Sequence, residues 1–77
     1  MEIEIISFGK TTEFLAQQRM KVIGVSNTNE LIEYLETTYP MLKQMKYKLA
    51  LNKVIIQQNT NISENDTIAI MPPFSGG

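Results

Sequence analysis

The sequence predicts an α+β fold, a small mixed sheet packed against one main helix. Three observations carry that prediction. β-rich stretches stand at both ends of the body, Glu2–Phe8 and Thr67–Met71. One amphipathic helix lies between them, over residues 27–39. Punctuating residues (Gly9, Gly24, Pro40, Asn52-Lys53, Asn65) cut the rest into pieces too short for a second long helix. The 77 residues are enough for a single domain, 1–77, with residues 72–77 as a flexible C-terminal tail.

Each element has a local reason. Glu2-Ile3-Glu4-Ile5-Ile6-Ser7-Phe8 opens with strict alternation, the period of a strand. Ile3 and Ile5 share one face. Ile6 and Phe8 fall on the other with Glu2 and Glu4, so the far end of the strand is apolar on both sides. After Gly9, Thr11 to Gln18 suits a short helix capped by Thr11 or Thr12 and anchored by Phe14 and Leu15. Met20, Val22, Ile23 and Val25 predict a second strand, joined to the first as a hairpin with a helical excursion. Ser26-Asn27-Thr28-Asn29 then supplies a cluster of N-cap residues, and Asn27 with Glu30 has capping-box spacing.

Leu31, Leu35 and Tyr39 recur every four residues, Ile32 widens the stripe, and Glu30, Glu33 and Glu36 take the other side. Pro40 ends the helix at or just before Tyr39. Met41 to Tyr47 suits one more short turn of helix. Lys48-Leu49-Ala50-Leu51-Asn52 alternates, Asn52-Lys53 forms a tight turn, and Val54-Ile55-Ile56 is the next strand. Asn59-Thr60-Asn61 is a loop, and Ser63 to Asp66 is a turn with Asn65 left-handed. Thr67–Met71 is the last strand, ended by Pro72 and Pro73, which donate no ladder hydrogen bond.

Composition excludes several classes of function. The apolar fraction is 43%, too high for a disordered chain. Seven basic against eight acidic side chains give a net charge of -1, which argues against nucleic-acid or membrane binding through bulk charge. There is no cysteine and no histidine. That removes the disulfide, the thiol nucleophile, the usual general base and the commonest metal ligands. No apolar run approaches the roughly 20 residues of a membrane span, and the N-terminus is unlike a signal peptide. The expectation is a cytoplasmic protein that folds on its apolar core alone.

The ending is the informative motif: Met71-Pro72-Pro73-Phe74-Ser75-Gly76-Gly77. Gly76 and Gly77 carry no Cβ, so a narrow channel in a partner can grip their backbone. Pro72 and Pro73 favour an extended stalk, which lowers the ordering cost on binding. The terminal carboxylate becomes an electrophile once converted to a better leaving group such as an acyl-adenylate. Two apolar features sit badly in a core. Val54, Ile55 and Ile56 are consecutive, so at least one must turn outward, and Met71 to Phe74 runs past the sheet. Ile55, Met71, Pro72, Pro73 and Phe74 are therefore expected to dock on partners.

These residues resemble a known family. The ending Pro72 to Gly77, the run Leu49-Ala50-Leu51-Asn52-Lys53 and the acidic turn Glu64-Asn65-Asp66 are similar to those of the small, sulfur-carrying subunits of molybdopterin synthase, a ubiquitin-like β-grasp family. Phe8 to Glu13 matches in part; Thr12 stands where the family often has Arg, Asn65 where it usually has Gly, and Met71 where it often has an aromatic.

The resemblance implies a β-grasp fold and a mechanism. An adenylating enzyme similar to ubiquitin-activating enzymes would use ATP on the Gly77 carboxylate. A sulfur donor would convert it to a thiocarboxylate. The tail would then enter the large subunit of molybdopterin synthase, in a heterotetramer, and give its sulfur to a pterin precursor. Gly77 would carry the sulfur and Gly76 provide access. The chain would bind no cofactor or metal and be no enzyme by itself.

Other readings are a sulfur carrier of thiamine synthesis, a ubiquitin-like protein modifier and an inert interaction module. Lys43, Lys46, Lys48 and Lys53 form a loosely basic region that reads as a solvated face, with binding of an acidic partner surface as the other reading; Tyr34, Tyr39 and Tyr47 read as packing residues, and Glu13 and Asp66 show no paired-carboxylate spacing.

Overall fold

In a computed structural model the described residues are 1–8, 15 and 17–71. They form β1 (Glu2–Ser7), β2 (Gln18–Lys21), α1 (Thr28–Thr38), a 3₁₀ turn (Pro40–Gln44), β3 (Lys48–Leu51), β4 (Val54–Ile55) and β5 (Thr67–Met71). The strands make one sheet in the order β2-β1-β5-β3-β4. β1 pairs antiparallel with β2 and parallel with β5, with Ile5 opposite Ile68. β5 pairs antiparallel with β3, which pairs antiparallel with β4. The predicted order of one helix between two and three strands is what the chain adopts.

Strand alternation sorts the sheet into two faces. Ile3 and Ile5 of β1, Met20 of β2, Leu49 of β3 and Ile68 and Ile70 of β5 face one way and are buried. Leu31 and Leu35 of α1 and Leu42 of the 3₁₀ turn cover them, and all belong to one apolar cluster with Leu15, Val22, Val25 and Ile62. Burying a Leu or Ile side chain contributes roughly 1.5–3 kcal/mol. These side chains are the main favourable term in a chain with no disulfide.

The entry to α1 is built as the sequence implied, with one displacement. The Asn27 side chain accepts from Glu30 N–H at 2.9 Å. The return half of the capping box reaches one residue too far: Glu30 Oε1 accepts from Ser26 N at 2.8 Å and from Ser26 Oγ at 2.9 Å. Buried Thr28 fastens the loop before β5, accepting from Thr60 N at 2.9 Å and donating to Asn59 Oδ1 at 3.2 Å. Tyr39 is the C-cap, and Pro40 starts the 3₁₀ turn.

The second strand differs from its expected position. β2 covers Gln18–Lys21, whereas the sequence predicts strand character from Met20 to Val25. Val22 and Val25 are buried without being in a strand, because Gly24 at φ 76 turns the chain there and leaves Ile23 81% exposed. The helix expected over Thr11–Gln18 falls mostly outside the described residues, and its last residue already belongs to β2. Leu15 is fully buried, and its carbonyl accepts from the Ser7 hydroxyl.

Tyr47 is a tie that periodicity did not announce. Its hydroxyl donates to Glu36 Oε2 at 2.6 Å, linking the approach to β3 with α1. Burial, reinforced by that hydrogen bond and by the carboxylate charge, pushes the phenol well above its usual 10.0. The unfolded chain therefore releases this proton at lower pH than the folded one, so the tie stabilises the fold below pH 10 and is lost as pH rises further. Tyr47→Phe is expected to cost about 1 kcal/mol at neutral pH. In denaturant melts it should also shrink the fall in stability above pH 10.

Candidate functional site

The face of the sheet away from α1 carries the candidate site. Ile6 and Phe8 from the β1 side, Thr67, Ala69 and Met71 of β5, Ala50 of β3 and Ile55 of β4 line an open, largely apolar groove of about 550 Å³. Asn52 and Lys53 complete its rim at the β3–β4 turn. Register accounts for the assembly. Ile6 lies opposite Ala69, Ala69 opposite Ala50, and Ala50 opposite Ile55, which sets four apolar residues in a row across four strands. The small side chains of Ala69 and Ala50 make the floor, and Phe8, Ile55 and Met71 stand around it. Phe8 is 49% and Ile55 37% exposed, so a contiguous apolar surface faces solvent.

Of the residues expected to dock, Ile55 and Met71 meet in this groove. Ile55 turns to the groove, Ile56 packs against the core, and Val54, opposite Leu51, is exposed, which resolves the three consecutive β-branched residues. Pro72, Pro73, Phe74, Gly76 and Gly77 lie outside the described residues, as does Thr12. Met71 is the last residue of β5, so the covalent chain passes from the edge of the groove directly into Pro72.

Sequence reasoning missed the groove as a unit. Its signal was present, since Ile6 and Phe8 were seen to occupy the second face of β1. What was missing was the parallel pairing that sets Ala69 beside Ile6.

The turn at the rim is held by its own side chains. Asn52 and Lys53 both have positive φ, 50 and 75, the signature of a two-residue type I′ hairpin. Asn tolerates this conformation; Lys takes the place where Gly is usual, at a cost of roughly 1 kcal/mol. Asn52 N donates to the Thr67 carbonyl at 2.8 Å, and Asn52 Oδ1 accepts from Thr67 N at 2.9 Å. Asn52 Nδ2 donates to Asp66 Oδ1 at 3.1 Å, and Asp66 Oδ2 accepts from Ser63 N at 2.8 Å. Asn65, at φ 69, closes that second turn. The acidic turn thus works as a structural brace at the start of β5.

Among the described residues, no group of three or more His, Cys, Asp or Glu could hold a metal ion. No described helix is long and apolar enough to cross a membrane. The described ion pair, Arg19 to Glu2 at 3.1 Å, is half exposed on both sides and is worth little.

A five-stranded mixed sheet with one helix across it, and an apolar groove on its bare face, defines a ubiquitin-like β-grasp domain. The chain belongs to the ThiS family, whose model matches residues 5–77. It is 27% identical over 81 residues to the molybdopterin synthase sulfur carrier subunit of Arabidopsis thaliana, matching all of this chain and 84% of that one. Subunit 1 in a complex of subunits 1 and 2 of molybdopterin-converting factor is the relevant likeness from Helicobacter pylori. That structure is 25% identical, with a TM-score of 0.73 and full coverage of both chains.

Two more distant structures share the fold. A Pyrococcus furiosus protein assigned as molybdopterin converting factor subunit 1 has a TM-score of 0.82 at 12% identity, covering 94% of this chain and 97% of that one. SAMP1 from Haloferax volcanii has 0.76 at 19%, with both chains fully covered. The family resemblance drawn from the tail and the β3 run is borne out.

Asn52→Ala is expected to remove the side-chain hydrogen bonds to Thr67 N and Asp66 and to force Ala to positive φ, costing about 2 kcal/mol in a chemical melt. Asn52→Gly, which relieves only the second penalty, should recover part of it.

Proposed function

We propose that this chain is the sulfur carrier subunit of a molybdopterin synthase, working by way of its C-terminal glycine. The observation that carries the proposal is the continuity of the apolar groove with the root of the tail at Met71. A partner seated on that groove receives Pro72 to Gly77 as the continuation of the same contact. The named functions of the Arabidopsis and Helicobacter relatives support this reading over a carrier for thiamine synthesis.

In this proposal the chain supplies a body, a stalk and an acyl terminus. The adenylating enzyme couples the Gly77 carboxylate to the AMP moiety of ATP with loss of pyrophosphate. A sulfur donor displaces AMP and leaves a thiocarboxylate. The large subunit then takes the tail into its active site, where the sulfur passes to the pterin precursor and a carboxylate is regenerated. Gly76 and Gly77 suit a tight channel because neither has a Cβ. Phe74, Pro73 and Pro72 extend the contact begun by Met71 and Ile55. The chain itself holds no cofactor, and ATP stays with the activating enzyme.

Incubation with the activating enzyme, ATP and a sulfur donor is expected to raise the intact mass by the difference between sulfur and oxygen, localised to Gly77. An unchanged mass with an enzyme active on another carrier would overturn the proposal, and a ladder of conjugates in extract would point to a protein modifier. Deleting Gly77 should abolish sulfur transfer and leave the melting curve unchanged. Ile55→Asp is expected to weaken large-subunit binding at least about tenfold, about 1.4 kcal/mol, with little change in fold stability because Ile55 is exposed.

A further inference from the structure

Resting on the reading of the groove as a docking face, we propose that Lys53 is the specificity-determining residue of that face. Its ammonium selects a large subunit whose apolar contact patch carries an Asp or Glu carboxylate opposite the β3–β4 turn.

Three observations lead there. Lys53 is the single charged residue among those lining the groove. It is exposed, and among the described residues no carboxylate pairs with it. It also stands at φ 75, in the glycine place of a type I′ turn. The turn cannot swing to relieve that conformation, because Asn52 is fastened to Thr67 and Asp66 from both its backbone and its side chain. A glycine would satisfy the turn with less strain. The lysine adds nothing to the core, so its contribution is the cation that it fixes at the rim. Backbone strain over-determined by its surroundings is common where a chain meets a ligand.

The physics of closure then defines the partner. Docking on the groove removes water from its rim. An ammonium left there without a partner is penalised, whereas a carboxylate makes a short charge-assisted hydrogen bond. The chain's net charge of -1 does nothing to attract an acidic protein at long range. Selection must therefore come from the local pair, within a Debye length of the rim. Such a pair discriminates among partners with similar apolar patches, because a neutral or basic patch is penalised at the same spot.

The test is the affinity for the large subunit from the same source, measured by calorimetry at low and high salt for Lys53→Gln, Lys53→Arg, Lys53→Glu and Lys53→Gly. Lys53→Gln is expected to weaken binding about tenfold and to flatten its salt dependence. Lys53→Arg should stay within about threefold, and Lys53→Glu should lose about a hundredfold. Exchanging the facing carboxylate on the large subunit for Lys should restore the Lys53→Glu variant. Melting curves accompany each titration. Lys53→Gly, which relaxes the turn and folds at least as stably, repeats the charge loss without the strain.

Lys53→Gln and Lys53→Gly binding as tightly as the unaltered chain, with the same salt dependence, would overturn the proposal. If Ile55→Asp still weakened binding about tenfold or more in that case, the groove would stand as the docking face and only the role of Lys53 would fall. If Ile55→Asp bound normally as well, the docking face itself would fall.

Discussion

The structure depends on the parallel pairing of the first strand with the last. β1 and β5 lie side by side at the middle of the sheet, and Ile3, Ile5, Ile68 and Ile70 on one face are fully buried beneath α1. Everything between them in sequence is the crossover that such a pair requires. The helix, the 3₁₀ turn and the β3–β4 hairpin are arranged by where that crossover must leave and return. The pairing also fixes where the chain exits, since β5 runs with β1 and ends at Met71 beside the far end of that strand.

The same pairing creates the open apolar groove. Parallel strands are usually covered on both faces, because they are built from residues apolar on both sides. Here α1 covers one face, and Ile6 and Ala69 of the parallel pair lie open on the other. Among the described residues there is no second long helix with which to close it. A small domain can tolerate that exposure when another protein completes the layer, and two alanines at the floor let a partner approach the sheet closely. The braces around the groove serve the same end. Asn52, Asp66 and Ser63 stiffen its rim, and the Asn59 to Asn61 loop, tied to Thr28, keeps the start of β5 in place.

Much of this was legible in the sequence, for physical reasons that differ from element to element. β1, α1, β3 and β5 announce themselves because each has one buried face and a clean period. The cap at Asn27 and the turns at Asn52-Lys53 and Asn65 were legible because few residues accept those backbone conformations. β2 was misplaced because Val22 and Val25 are apolar for the sake of the core and not of a strand, and Gly24 lets them point inward from a turn. The Tyr47–Glu36 tie was invisible because a tyrosine in an irregular stretch carries no period. Of the site, Ile55 and Met71 were legible as apolar residues with nowhere to go; the groove between them required the strand order, a non-local property.

In the division of labour proposed for this fold, the partners supply the chemistry. An acyl terminus that others must activate, load and unload is best served by a body that offers recognition and contributes no competing nucleophile. Cysteine would be the most dangerous residue in such a chain, since a thiol could attack the activated terminus, and none is present. Lysines remain, yet an ammonium is a poor nucleophile until it loses its proton, and Lys53 is exposed. The features proposed to make the surface selective are chemically quiet. Under that proposal an apolar groove and the Lys53 cation suit recognition for one reason: both bind without reacting.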